Sequence, residues 1–493
     1  MTTQPKLLTA GESLEGAVAM PFRHRQLADG VFVAVSDSGD FAFLDDSELI
    51  ALRNHSNTLP RERIAELKSK FFLMSPTSGG VRRLLASRVA ARQETVFSGP
   101  SLHIFVTTLK CAHTCRYCQV SRSLSDDGFT MSIQMVSDAC DAVFQSPAPA
   151  ITVEFQGGDP LLRFDLVRFA IERITELNRN ENRQLRFVIA STLHQLDAEM
   201  CAFLKSNRVY LSTSIDGPQS LHDKNRPVPG RDSYARTVSG IHMARSLISP
   251  DSVAALMTAS RESLACPEDI VDAYVGLELN EIFLRPLSRH GFARRNASSL
   301  GYAMEDFHAF YDRAFERILD WNRKGVPIRE VGACIVFNKL LCSFDGGYVD
   351  LQSPTGAGLA VLVYNYDGYV YPSDEARMLA AAGDTTLRLG RIGDPLDTML
   401  TGAVQQRLLD ASWSTSVPGC RDCAYNRYCG PDPVSSYNEF GSCEAPVHLT
   451  DHCKRHLWLF DYLLTRLRQG DPWFEDLAFQ WAQPANPVPS TYA

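Results

Sequence analysis

The 493-residue sequence predicts an α/β chain, with a parallel sheet curved into a partial barrel of six strand–helix units. A smaller α+β module precedes the barrel and a cysteine-rich module follows it. Six apolar, strand-like runs recur between about residues 100 and 290, each separated from the next by a helix-sized interval. Polar or glycine-rich segments follow four of these runs. The 13 cysteines gather chiefly at 111–118 and 420–453, in metal-ligand spacing.

A chain of this length buries a large core and divides into two to four domains. Lys and Arg number 49 against 57 Asp and Glu, a net charge of -8, so no general nucleic-acid footprint is present. The basic run VRRLLASRVAARQ at 81–93 reads equally well as a solvated helix face. The amino terminus lacks the basic, apolar and small-residue order of a signal sequence, and no window has the apolar length needed to cross a bilayer. A cytoplasmic enzyme without membrane or nucleic-acid partners is expected. Clustered thiols in that compartment point to metal rather than to disulfides.

In chain order, VFVAV and FAFL are short strand candidates, followed by helical spacing in DDSELIALRN and RERIAELKSKFFL. With a linker these make a module over residues 1–98, either a cover for a barrel edge or a docking module whose strand edge accepts an extended peptide. The barrel, 99–298, draws its strands from HIFVTTL, ITVEF, LRFVIA, VYLSTS, VAALMTA and EIFLRPL. Residues 299–350 read as a helical linker through MEDFHAFYDRAFERILDWNRKG. The cysteine-rich module spans 351–465 and opens on the strand-like GLAVLVYNYDGYVYP. Residues 466–493 are expected to be a C-terminal tail, the last twelve having no periodicity.

Cys111, Cys115 and Cys118 lie directly beyond the first barrel strand, in TTLKCAHTCRYCQVSR. This spacing supplies three thiolates to an iron–sulfur cubane whose fourth iron has no protein ligand and can hold a small chelating cofactor. Structural zinc is the alternative, but such sites close with a fourth ligand and His113 is poorly placed to be one. Gly157-Gly158-Asp159-Pro160, Ser191-Thr192 and Ser214-Ile215-Asp216-Gly217 also follow strand candidates. All four segments therefore fall on the carboxyl rim of the sheet, where active sites of this architecture lie.

The Cys-x3-Cys-x2-Cys loop followed by FQGGDP resembles the radical S-adenosylmethionine enzymes over about residues 100–290. The resemblance implies a partial (β/α)6 TIM-like radical SAM barrel, with Cys111, Cys115 and Cys118 holding a 4Fe-4S cluster that binds S-adenosylmethionine. It implies cofactor contacts from Gly157, Gly158, Asp159 and Pro160, where the family usually has Gly-Gly-Glu-Pro; a tight packing turn without ligand contact is the other reading. Ser214 and Asp216 are expected near the cofactor ribose or the radical's path, or as helix caps. Arg226 is expected to neutralise a cofactor or peptide carboxylate.

Cys420, Cys423 and Cys429, with Cys443 and Cys453 downstream, resemble the SPASM extension of peptide-modifying members. That extension normally holds two auxiliary clusters. Here Ser353, Ser373 and Pro433 stand where ligands of one of them are expected, so a single auxiliary 4Fe-4S cluster is implied. Cys453 is the favoured fourth ligand, in TDHCKRHLWLFDYL, with Cys443 the alternative. Cys334 and Cys342 read as buried small residues.

The phrases PFRHRQL, EFQGGDPLL, SIDGPQSLHDKNR, IFLRPLSRHGFARR, YNYDGYVYPSDEARMLA and RYCGPDPV resemble the His-Xaa-Ser system maturases of the HxsB type. This implies a ribosomally synthesised precursor peptide as substrate, a PqqD-like recognition module at 1–98, and a reducing partner such as flavodoxin or ferredoxin. Asp374 matches a carboxylate that accepts a proton in sulfatase-maturing enzymes; its alternative is a local ion pair with Arg377. Arg285 is expected to orient a carboxylate, or to form a structural ion pair. Oxidative cross-linking of the peptide is the favoured outcome, ahead of side-chain hydroxylation or rearrangement and of epimerisation. A non-catalytic iron–sulfur scaffold is the alternative of a different class.

Overall fold

The apolar alternation of VFVAVS and FAFLD forms strands β2 (Val31–Ser36) and β3 (Phe41–Asp45), joined by a tight turn. A third strand, β1 (Phe22–Ala28), pairs antiparallel with β2, Arg23 facing Val35 and Arg25 facing Val33. β1 has no counterpart among the apolar strand candidates. Its run FRHRQLA is too charged for an apolar alternation signal, and it is stabilised as an edge strand by polar partners. These coordinates come from a computed structural model, which describes residues 17–483 apart from 55–58, 76, 121 and 126–127. The expectations for the first sixteen residues and for most of the last twelve lie outside the described residues.

The helix Asp46–Arg53 begins with a reciprocal cap between Asp45 and Glu48, and with Arg61–Ser69 it covers the small sheet. Val33 and Val35 join the main core, while Ala34, Ala42, Leu44, Leu67 and Phe72 form a core of the module's own. The basic run 81–93 lies within the helix Gly79–Phe97. Its Arg92 donates to the carbonyls of Ser38, Lys339 and Cys342, so this helix joins the module to the rest of the chain.

The main sheet contains β4 (Leu102–Thr108), β5 (Ala150–Gly157), β6 (Gln184–Ala190), β7 (Val209–Ser214), β8 (Val253–Thr258) and β9 (Leu284–Arg285), adjacent in chain order and parallel. Helices lie between them, and the aliphatic faces pack into one core. The sheet is larger than the six strands expected. On the far side of β4 it continues into β10 (Val361–Tyr364), β11 (Tyr369–Tyr371) and β12 (Gly390–Arg391), β10 parallel to β4 and the last two antiparallel. All four residues of β10 are buried, which accounts for its unbroken apolar sequence VLVY and closes the open edge of β4. The region expected as a separate 351–465 module thus shares the barrel's sheet.

Two further differences are physical in origin. EIFLRPL is not one strand: Glu281–Ile282 pairs with Arg329–Glu330, and Leu284–Arg285 pairs with β8. The chain changes sheets between them, which alternation alone does not reveal. Residues 472–482, expected within the tail, form a helix started by Asp471 and Pro472. Its Phe474 and Trp481 rings meet Phe337, so the tail is docked by aromatic burial. Among the described residues, no helix is long and apolar enough to cross a membrane.

Candidate active site

The loop after β4 is held from both sides by backbone hydrogen bonds. Leu109 N donates to Phe129 O at 2.9 Å, Ser123 N to Leu109 O at 2.7 Å and Thr114 N to Pro227 O at 2.9 Å. Phe292 N donates to Cys118 O at 2.9 Å, tying the loop to the helix beyond β9. Cys111, Cys115 and Cys118 thereby line one cavity of about 220 Å³ at the carboxyl rim. Burial pushes the Cys111 thiol up and the Cys115 thiol up to about 12, the latter against the pull of Arg226. Without a metal these thiols stay protonated, so cluster binding must displace protons.

Gly157 and Gly158 end β5 against this loop. Gly158 N donates to Thr108 O at 2.7 Å, and a Cβ on Gly158 would lie 2.2 Å from Lys110 O. Gly157 has φ +132°, and its added Cβ would meet Thr108 O at 2.1 Å. Both glycines also line the cavity, so the close approach that requires them is to the cysteine loop's own backbone. Asp159 is fully buried, accepting from Ser191 Oγ at 2.7 Å and Thr192 Oγ1 at 2.5 Å. Its carboxylate organises the two hydroxyl residues that line the cavity, while Asp159 and Pro160 themselves do not line it.

Ser214 lines the cavity and Asp216 lies behind it. Asp216 accepts from Tyr117 Oη at 2.7 Å and from Arg226 Nε at 3.2 Å. Arg226 in turn places Nη1 4.0 Å from Cys115 Sγ and its guanidinium 5.2 Å from the Tyr117 ring centre. The expected site residues Arg226 and Asp216 therefore form one buried unit with Tyr117, which sequence reasoning missed. His113, beside Cys111, contacts His194 through Nε2 at 3.1 Å, and burial lowers both imidazole pKa values.

The same cavity is lined by Glu154 and Gln156 of β5, Arg285 of β9 and Asp374. Asp374 begins the helix Asp374–Ala381, whose first turn is capped by Ser373. Arg377, fully buried, donates to Asp374 Oδ1 through Nε at 3.1 Å and to Val120 O at 3.1 Å. The ion pair foreseen as one alternative for Asp374 is thus present within the cavity wall. Glu154 is 4 % exposed, and Gln156 Nε2 donates to it at 2.8 Å. Burial, reinforced by Asp374 and opposed by Arg285 and Arg186, raises its carboxyl to about 7. The only sequence signal for Glu154 was a carboxylate at an inward position of an otherwise apolar strand.

The second cysteine group lies between the N-terminal module and the C-terminal helices. Cys429 is close enough to Cys420, Cys423 and Cys453 for each to raise its thiol electrostatically, after burial. Cys443 packs elsewhere, in the cluster of Ile104, Val363 and Val434. The three positions expected to have lost ligands have local tasks: Ser353 Oγ accepts from Ser414 N at 2.7 Å, Ser373 caps a helix, and Pro433 opens the helix Pro433–Phe440 behind its cap Asp432.

Among the described residues, no three His, Cys, Asp or Glu side chains close on one metal ion. Thiolates on separate irons of a cubane stand farther apart than ligands of one ion. The donor set facing the cavity is soft sulfur, and the buried Thr213 Oγ1 and Arg122 Nε in its wall have no hydrogen-bond partner among the described residues. These residues fit a sulfur-ligated cluster carrying a polar cofactor.

Residues 105–273 match the family model described as the Radical SAM superfamily. The chain is 26% identical over 230 residues to an uncharacterized protein of Synechocystis, covering 45% of this chain and 56% of that protein. It is 25% identical over 142 residues to a serine-type anaerobic sulfatase-maturating enzyme of Bacteroides thetaiotaomicron, covering 27% of this chain and 34% of that enzyme. The chain spans about half the length of the first curated relatives it matches. Among solved structures, native anSMEcpe with bound AdoMet and Cp18Cys peptide superposes with TM-score 0.63 at 16% identity, over 77% of this chain and 100% of that one. Streptococcus suis SuiB bound to precursor peptide SuiA superposes with TM-score 0.53 at 13% identity, over 89% and 100%. The chain carries a radical SAM catalytic domain at residues 105–273, set in an α/β partial-barrel fold that it shares with anSMEcpe and SuiB.

Proposed function

We propose that the protein is a radical SAM maturase that modifies a ribosomally synthesised precursor peptide at an unactivated C–H bond. The observation that carries this reading is a cavity lined jointly by Cys111, Cys115, Cys118, Glu154, Arg285 and Asp374. The likeness in fold to structures solved with bound peptides supports it. The sequence phrases shared with the His-Xaa-Ser system maturases support the finer assignment to that group, as they do a cytoplasmic location and a flavodoxin or ferredoxin partner.

In this proposal Cys111, Cys115 and Cys118 hold a 4Fe-4S cluster with S-adenosylmethionine on its open iron. When bound and reduced, that pair supplies a 5'-deoxyadenosyl radical, which removes a hydrogen atom from the peptide. Arg226 stands beside Cys115 and offsets thiolate charge. Ser191, Thr192 and Ser214 offer hydroxyls to the polar parts of the cofactor. Arg285 orients the substrate, and Asp374, held by Arg377, is the candidate proton acceptor of the oxidation. Enclosure of the reacting groups fixes which carbon meets the radical. Cys420, Cys423, Cys429 and Cys453 hold one auxiliary 4Fe-4S cluster. The favoured product is an oxidative intrapeptide cross-link, with hydroxylation or rearrangement second and epimerisation third.

The test is mass spectrometry of the precursor encoded by a neighbouring small reading frame, after anaerobic incubation with iron-loaded protein, S-adenosylmethionine and a strong reductant. Loss of two hydrogens is the expected result. Gain of oxygen selects hydroxylation, and an unchanged mass with inverted stereochemistry selects epimerisation. Absence of 5'-deoxyadenosine from fully iron-loaded protein would leave the non-catalytic scaffold.

A further inference from the structure

Two carboxyl groups face the cavity that holds the three cysteines, and their surroundings differ. Asp374 is committed to Arg377, which is fully buried and donates to the same carboxylate oxygen from Nε and Nη2, at 3.1 and 2.5 Å. This pair ties the Asp374 carboxyl group to the first turn of the helix it begins. Glu154 has no such clamp. Strand register places it between Ile104 of β4 and Val188 of β6, both 1 % exposed, and its hydrogen-bond donor is the neutral amide of Gln156. Burial raises its carboxyl to about 7, so near neutral pH it exchanges a proton readily. The charged groups acting on it are Asp374 from the helix after β11, Arg285 from β9 and Arg186 from β6.

We propose that Glu154 is the catalytic base of the peptide reaction, taking the proton released as the substrate is oxidised. The proposal rests on the peptide-maturase reading given above. The hydrogen atom of the substrate C–H bond leaves to the 5'-deoxyadenosyl radical. A bond then forms between that carbon and a heteroatom X of a second side chain. The X–H bond breaks, its proton passes to Glu154, and one electron leaves to a bound iron–sulfur cluster acting as one-electron acceptor. Two hydrogens are lost overall, one as an atom and one divided into proton and electron. Asp374 raises and Arg285 lowers the proton affinity of Glu154, and it is the ionised form of Glu154 that takes up the substrate proton.

The test compares wild type, Glu154→Gln and Glu154→Asp as iron-loaded proteins with the precursor peptide, counting 5'-deoxyadenosine and modified peptide from pH 5.5 to 8.5. In Glu154→Gln the modified peptide formed per 5'-deoxyadenosine is expected to fall about a hundredfold. In wild type that ratio is expected to rise with pH through a midpoint near about 7, and Glu154→Asp to restore part of the yield with a displaced midpoint. Equal yields in wild type and Glu154→Gln at every pH would overturn the proposal while leaving peptide maturation intact. No 5'-deoxyadenosine from wild type would instead overturn the underlying reading and the proposal with it. A second readout needs no peptide: the infrared carbonyl band of protonated carboxyls at pH 6 is expected to lose intensity in Glu154→Gln relative to wild type. Glu375→Gln separates the contribution of Glu375, a second carboxyl raised by burial, to about 8. An unchanged band in Glu154→Gln would count against an acid at this position.

Discussion

Arg377 has no exposure to water, and its nearest anion is Asp374, so the pair is a buried unit rather than a surface contact. Replacing Asp374 with Asn leaves the guanidinium without its charge partner, and a loss of about 3–5 kcal/mol in unfolding free energy is expected by urea denaturation. An unchanged midpoint would show that the pair is not formed in solution. Glu154 has the opposite linkage. Its folded-state pKa, about 7, lies above the ordinary value of 4.5, so its contribution to stability is complete below about pH 4.5 and is lost as pH rises through about 7. Glu154→Gln is therefore expected to gain on wild type by up to about 3 kcal/mol across that window, followed by denaturation at pH 5 and pH 8. A difference independent of pH would contradict the burial of an ionisable group there. The meeting of Cys111, Cys115 and Cys118 in one cavity was legible because they share one loop. Glu154 was not, because ITVEF reads as an apolar strand and only the register with β4 and β6 shows its side chain entering a cavity.

At the scale of elements, the end of β5 and the cysteine loop form one packed unit. A Gly158→Ala change would press a methyl group against the carbonyls of Leu109 and Lys110, backbone that cannot give way as a side chain would. The expected outcome is a destabilised loop, with iron lost preferentially from the Cys111–Cys115–Cys118 site, as read by iron analysis and electron paramagnetic resonance. Retention of full iron at that site would contradict it. Strand–helix alternation from β4 to β8 was legible in the sequence because each strand is a short apolar-rich run set off by a helix-sized interval. The ends of the sheet were less so. β9 is only two residues long after the chain switches sheets, and β10 to β12 come from a region more than 70 residues further on, whose pairing with β4 is a long-range contact that no local pattern encodes.

Across the whole molecule, the N-terminal module is tied to the second cysteine group. Arg25 of β1 donates to Asp461 at 2.8 Å, Asp461 also accepts from Tyr425 Oη at 2.6 Å, and Tyr425 lies two residues beyond Cys423. Arg427 pairs with Asp37, and Tyr428 Oη donates to Gly39 O at 2.8 Å. The Arg25–Asp461 pair is partly exposed, so Arg25→Ala is expected to cost about 1 kcal/mol or less, yet to raise hydrogen exchange in β1. Unchanged exchange there would show that the module is held by other contacts. The proposed pair of cubanes corresponds to roughly eight irons per chain, and on that proposal Cys423→Ser is expected to reduce this to roughly four. The most direct measurement follows the hydrogen itself: the precursor peptide is made with deuterated side chains, incubated anaerobically with S-adenosylmethionine and reductant, and the 5'-deoxyadenosine is analysed by mass. Incorporation of deuterium is the result the proposed peptide maturation predicts. Unlabelled 5'-deoxyadenosine, formed while the same peptide stays unmodified, would contradict peptide maturation as the function of this cavity.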